Sequence, residues 1–132
     1  MRRVLIALAS VLVISGSAFA QSVGEKESGL AAVYSNKLNG HITASGQTYD
    51  KTKLTAAHKT LPFGTRIKVT NAKNNRTVVL RVTDRGPVQA GRILDISPAA
   101  ARRLGFSPRS MREVSYEIVE VGNGKRTKHH RH

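Results

Sequence analysis

The sequence predicts a small, mainly β domain of barrel type, and three observations carry that reading. Residues 65–70 (TRIKVT) alternate polar and apolar side chains, and residues 77–83 (TVVLRVT) are rich in β-branched types, as strands are. Turn formers from Asn71 to Arg76 separate the two runs, which makes them a hairpin. Only one segment, Ser97 to Gly105, has helix signals at both ends. Several strands with one short helix point to a small β-barrel, and composition alone does not name which one.

The elements follow in order. Met1-Arg2-Arg3, an apolar run from Val4 to Ile14 and a close at Ala18-Phe19-Ala20 form a charged, an apolar and an Ala-x-Ala region. That is the pattern of a signal peptide over residues 1–20, with export and cleavage near Ala20 expected. The apolar run is short of the roughly 20 residues that span a bilayer. No cysteine follows, so no lipid anchor at the membrane is expected. Residues 21–28 are short and polar and read as a linker, and 29–121 as the domain. Within it, Ala31 to Ser35 is a weak strand. Ile93 to Ser97 is an apolar strand carrying one carboxylate. Val114, Tyr116 and Ile118 alternate with Ser115 and Glu117 in a last strand. Ser97 is a good N-cap, Pro98 suits the first helical position, residues 99–104 favour helix, and Gly105 suits the C-terminal cap. The tail, residues 122–132 (GNGKRTKHHRH), has no apolar residue to bury and is expected to be disordered. Its histidines, on a floppy segment, offer a metal no fixed geometry, and a solvated basic tether is expected instead.

Charge and cysteine usage narrow the function. Lys and Arg number 22 against 8 Asp and Glu, for a formal charge of +14. Such a field favours polyanions. Export argues against nucleic acid and leaves peptidoglycan and acidic wall polymers as partners. The absence of cysteine excludes disulfides, thiolate metal sites and a cysteine nucleophile. Stability must come from a packed core of roughly 90 residues, small but sufficient.

Acidic residues are scarce enough to be informative: between Ser28 and Arg112 there are only Asp50, Asp84 and Asp95. Asp84 ends an apolar strand and precedes Arg85-Gly86-Pro87, which suits a carboxylate held at the rim of a sheet as a general acid. The plainer alternative is a pair with Arg85 or a turn cap. Asp95, just before the helix, reads as structural. His58 sits among small residues, with Pro62 and Gly64 following, and a lone histidine there is more often structural than reactive. His41 lies in a Gly-rich loop. No metal-ligand spacing, phosphate loop or nucleophile elbow is present, so neither metal nor cofactor is expected.

Four strings bring these residues together. Thr43-Ala44-Ser45-Gly46, Leu54 to Thr65 (LTAAHKTLPFGT), Val82-Thr83-Asp84-Arg85-Gly86-Pro87 and Gly91 to Ser97 (GRILDIS) occur in this order and closely resemble the rare lipoprotein A domain across residues 29–121. The resemblance implies a six-stranded double-psi β-barrel with one or two short helices, related to the expansin and family 45 endoglucanase barrels. It implies peptidoglycan as ligand and, for some members, lytic transglycosylase activity with a preference for peptide-free strands. Asp84 and His58 match the residues tied to activity. Asp50 belongs to the cleft, and Gln47, Thr43, Ser45 and Arg85 are expected to contact substrate. In the implied chemistry Asp84 protonates the glycosidic oxygen between N-acetylmuramic acid and N-acetylglucosamine, then takes the proton of the C6 hydroxyl as that oxygen attacks its own C1. The product is a 1,6-anhydro end, and proximity of the internal nucleophile replaces the second carboxylate a hydrolase needs. His58 is expected to orient Asp84 or bond the sugar, and Asp50 to stabilise developing positive charge. A monomer is expected. One departure stands out: Gln47 occupies a position where many relatives carry glutamate, and an amide is neither acid nor base. That leaves a non-catalytic, expansin-like glycan-binding module as the alternative. A purely charge-driven polyanion binder is a third reading, whose binding salt alone would abolish.

Overall fold

A computed structural model describes residues 21–128. The signal peptide read at 1–20 and the last four residues, 129–132, lie outside the described residues. Six strands, β1 (Lys26–Val33), β2 (Thr55–Ala57), β3 (Arg66–Asn71), β4 (Thr77–Asp84), β5 (Arg92–Ile96) and β6 (Arg112–Glu120), accompany one helix, α1 (Pro98–Leu104), and a 3-10 turn at Asn36–Leu38. The strands close into a barrel in the order β1-β5-β2-β4-β3-β6, which leaves no exposed sheet edge. β1 runs parallel to β5 and β2 parallel to β4, while the other four pairings are antiparallel. This is the six-stranded double-psi arrangement.

The alternation in β3 and β4 sets the inside of the barrel. Ile67 and Val69 face Leu80 and Val78 in register and point inward, while Arg66, Lys68, Val79 and Arg81 point out. Leu94, Ile96, Val114 and Ile118 complete the interior, each no more than 1 % exposed. Burying one such aliphatic side chain contributes about 1.5–3 kcal/mol. The helix obeys its sequence signals. The Ser97 hydroxyl accepts from the Ala100 N–H at 3.2 Å, Pro98 opens the helix, and Gly105 (φ 83°) donates back to the Ala101 and Arg102 carbonyls. The hairpin turn is tied to that helix end. Asn71 and Asn74 both donate side-chain amide protons to the Leu104 carbonyl, at 2.9 and 3.1 Å.

The two ends of the domain differ from the sequence reading. The expected linker at 21–28 is already barrel: β1 starts at Lys26, and Gly24 donates to the Ile118 carbonyl at 2.8 Å. Lys26, Glu27 and Ser28 pair with Glu117, Tyr116 and Ser115 through main-chain groups, which need no apolar side chain. The tail is likewise not free over 122–128. Gly122 donates to the Thr65 hydroxyl at 3.0 Å, Gly124 to the Phe63 carbonyl at 3.0 Å and Thr127 to the Ser45 carbonyl at 2.6 Å. Composition pointed to disorder because it counts side chains to bury. This strap is held by its backbone.

Candidate active site

Asp84 reaches its position through a break in the strand. Val78, Leu80 and Val82 alternate into the core, and Asp84 would continue that inward face. The parallel pairing with β2 instead slips by one residue: Ala56 lies opposite Val82, but Ala57 lies opposite Asp84. Such a bulge re-aims the side chain that follows it. The carboxylate emerges half-buried at the end of the strand. Its Oδ1 accepts from the Ala44 and Arg85 N–H groups, both at 2.9 Å, and its Oδ2 accepts from the Tyr34 hydroxyl. Three donors from three separate segments fix both oxygens. The chain then leaves through Gly86 at φ 119°, a conformation that favours glycine.

Around Asp84 lies a narrow cleft that Tyr34, Tyr49, Thr55, Thr83 and Asp95 also line. A groove of about 500 Å³ bounded by Gln47, Asp50, Lys53, Arg66 and Arg81 lies beside it, and Tyr49, Thr55 and Thr83 line both. The Tyr34 and Tyr49 rings meet edge to face with centroids 4.5 Å apart. Burial, followed by the bond to Asp84, pushes the Tyr34 hydroxyl well above its ordinary pKa. Burial and the nearby Asp50 charge push Tyr49 up to about 12, so both tyrosines remain proton donors at neutral pH. The Tyr49 hydroxyl is buried with no hydrogen-bond partner among the described residues. Asp50 accepts from the Thr52 N–H at 2.8 Å and its hydroxyl at 2.6 Å, and those bonds hold it below the usual carboxylate range. It therefore stays ionised at the groove wall.

The other residues singled out from sequence fall elsewhere. His58 is 6 % exposed and its ring does not bond the Asp84 carboxylate. Nδ1 accepts from the Thr60 and Leu61 N–H groups, both at 3.0 Å, which places the proton on Nε2. Nε2 bonds the Tyr116 hydroxyl at 2.8 Å, and Tyr116 donates to Glu27 at 2.6 Å. Burial lowers the His58 pKa, with Glu27 opposing. The His58 ring and the Asp84 carboxylate are therefore not bonded to each other. The link is through main chain, His58 N–H to the Asp84 carbonyl at 3.1 Å. Arg85 turns back on the same segment, donating to the His58 and Leu61 carbonyls at 3.2 and 2.8 Å and stacking over Phe63 at 4.0 Å. It braces residues 58–63. Thr43 and Ser45 are buried, and Thr43 donates to the Gln47 carbonyl at 2.8 Å while its oxygen lies 2.9 Å from Ser45 Oγ. Their hydroxyls shape the loop that presents Ala44 N–H to Asp84. Asp95 pairs with Arg92 and lines the Asp84 cleft. Among the described residues no three His, Cys, Asp or Glu side chains converge as a metal site.

Sequence reasoning missed Tyr34, Tyr49, Glu27 and Tyr116. Tyr34 lies in the weak strand read at Ala31 to Ser35 and Tyr49 lies next to Asp50, both outside the four strings, so no motif marked them. Glu27 lay in the segment taken for a linker.

Comparison with known proteins agrees with this geometry. The chain is 46% identical over 98 residues to the endolytic peptidoglycan transglycosylase RlpA of Vibrio cholerae, covering 74% of this chain and 37% of that one. It is 43% identical over 101 residues to the probable endolytic peptidoglycan transglycosylase RlpA of Synechocystis, covering 76% of this chain and 32% of that one. The chain thus spans about a third of the length of these relatives. Among solved structures, a Clavibacter michiganensis expansin shares the fold with a TM-score of 0.58 at 24% identity, over 73% of this chain and 51% of that one. The Streptomyces papain inhibitor does so with a TM-score of 0.57 at 22% identity, over 74% of this chain and 97% of that one. The family model described as lytic transglycolase matches residues 26–116, most of the barrel, and the chain belongs to that family.

Proposed function

We propose that this chain is an exported lytic transglycosylase that cleaves peptidoglycan glycan strands between N-acetylmuramic acid and N-acetylglucosamine. The observation that carries the reading is the Asp84 carboxyl, re-aimed by a bulge and fixed by three donors in a cleft that shares Tyr49, Thr55 and Thr83 with the neighbouring groove. Its two oxygens are unequal. Oδ1 is occupied by two main-chain N–H groups, so the transferable proton belongs on Oδ2, where the Tyr34 hydroxyl can rotate to accept as well as donate.

In the first half of the reaction Oδ2–H protonates the bridging oxygen as the C1–O bond breaks. In the second, the ionised Asp84 takes the C6 hydroxyl proton as O6 bonds C1. The proton is returned, a 1,6-anhydro end forms and no water is consumed. Gln47, at the groove wall, offers hydrogen bonds to sugar. Asp50, held ionised, adds negative potential to the groove in which positive charge develops. His58 acts at a distance, holding the turn on which Arg85 rests, and is a positioning residue.

The test is mass spectrometry of glycan strands, with and without stem peptides, incubated with the protein and with its Asp84→Asn variant. New 1,6-anhydro ends from the wild type alone support the reading. The amide of Gln47 favours a second one, a glycan-binding module without turnover. In that case Asp84→Asn changes affinity and neither protein makes new ends.

A further inference from the structure

The groove has a charge pattern the cleavage chemistry does not use. A small recess lined by Ser45, Gln47, Gly64, Arg81, Asn123 and Lys125 adjoins it, and Gln47 and Arg81 border both. Lys125 is there because the strap is there. The Gly122, Gly124 and Thr127 N–H groups pin residues 122–128 across the turn at Phe63 to Thr65 and onto Ser45. Four cations therefore stand along the groove and recess: Lys53, Arg66, Arg81 and Lys125. Two are already neutralised. Arg66 pairs with Glu120 at 3.3 Å, and Lys53 faces Asp50, whose pKa it helps to lower. Arg81 and Lys125 are exposed and have no carboxylate partner among the described residues.

Two unpaired cations beside a sugar-bonding amide call for a glycan that carries anions. A neutral polysaccharide gives them only hydroxyls. In a peptidoglycan strand every second sugar bears a lactyl ether. Its carboxyl is an amide while the stem peptide is attached and becomes a carboxylate when the peptide is removed. We propose that Arg81, together with Lys125 carried in by the C-terminal strap, is a specificity site that binds the lactyl carboxylates of peptide-free strands. This rests on the glycan reading above and deepens it. A preference for stripped strands then follows from charge recognition as well as from room in the groove. Arginine suits the task, because its planar guanidinium meets a carboxylate with two parallel N–H bonds.

The experiment measures equilibrium binding of the full chain at constant ionic strength to two ligands. One is amidase-stripped strands. The other is the same strands with their carboxyls coupled to methylamine, which removes the charge and keeps the sugar. Capping is expected to weaken the wild type about tenfold, the scale of one charge-assisted bond. The R81Q/K125Q double variant is expected to bind free strands about tenfold more weakly and to be indifferent to capping. R102Q/R103Q, with the same loss of charge on α1, is expected to behave as wild type. R81K/K125R, which keeps both charges, restores part of the affinity and so separates lost charge from lost fold. A wild type indifferent to capping overturns the proposal. So does R81Q/K125Q retaining the full capping penalty, or R102Q/R103Q matching its loss. Product analysis on the same samples keeps the two readings apart. A capping penalty without any new ends overturns the enzymatic reading and leaves this one standing.

Discussion

Gly122 is where the strap claim is most exposed. A Cβ placed on it would lie 2.2 Å from the Phe63 carbonyl oxygen, 2.3 Å from the Thr65 nitrogen and 2.4 Å from the Gly64 carbonyl carbon. All three are main-chain atoms, so no rotamer change relieves the clash. The turn beneath cannot yield easily, since Gly64 donates to the Val82 carbonyl at 2.8 Å and Val82 to the Thr65 carbonyl at 2.8 Å. Gly122→Ala must therefore lift the strap, with loss of the Gly122–Thr65, Gly124–Phe63 and Thr127–Ser45 bonds. At about 0.5–1.5 kcal/mol for each net hydrogen bond, three bonds amount to about 1.5–4.5 kcal/mol. Part returns as the freed residues regain backbone entropy, so about 1–3 kcal/mol of lost stability is expected. Urea unfolding of wild type and Gly122→Ala reads the difference, and amide exchange of Gly124 and Thr127 shows where it arises. A variant within about 0.5 kcal/mol of wild type, with both amides still protected, would refute the reasoning.

Three further outcomes are expected. Tyr34→Phe removes the donor to Asp84 Oδ2 and leaves the two main-chain donors. Turnover should fall about 10- to 100-fold with KM nearly unchanged, as initial rates on stripped strands would show. Ser97→Ala loses the cap on Ala100 and leaves the Lys53 carbonyl, now bonded at 2.6 Å, without its hydroxyl donor. About 1–3 kcal/mol should go, read as a lower urea midpoint. His58 is held neutral by burial, against Glu27 and with Arg85 and Lys59 adding to the depression. Its folded pKa lies below the unfolded value near 6.5, so its contribution is complete above about pH 6.5 and is lost as pH falls toward the folded pKa. Urea midpoints taken across that range should drop more steeply for wild type than for His58→Gln, and parallel curves would count against it.

Much of the barrel was legible because its strands alternate. Ile67, Val69, Leu80 and Val82 declare an inward face, and Ser97 and Gly105 declare both ends of α1. What was not legible is paired through main chain. Lys26 to Ser28 and Gly122 to Thr127 carry no apolar pattern, yet both are bonded to the barrel. The parallel β1–β5 and β2–β4 pairings leave no mark in local periodicity, so the double-psi fold came from resemblance. At the site, Asp84 was visible because acids are scarce, and Gln47 and Asp50 do reach the groove. Arg85, Thr43 and Ser45 lie in the same strings but bond neighbouring main chain or one another, Arg85 from an exposed position. A motif marks which residues are close together and not which way each one faces. The one-residue slip at Ala57 that aims Asp84 could not be read from the sequence.

The most direct test of the account is to cleave stripped glycan strands in heavy-oxygen water and weigh the new ends. Asp84 acting alone, with the muramic acid C6 hydroxyl as nucleophile, predicts 1,6-anhydro ends that carry no heavy oxygen and vanish in Asp84→Asn. Reducing ends labelled with heavy oxygen would show that water attacks C1 and would contradict the mechanism. Ends that persist in Asp84→Asn would contradict the assignment of the acid.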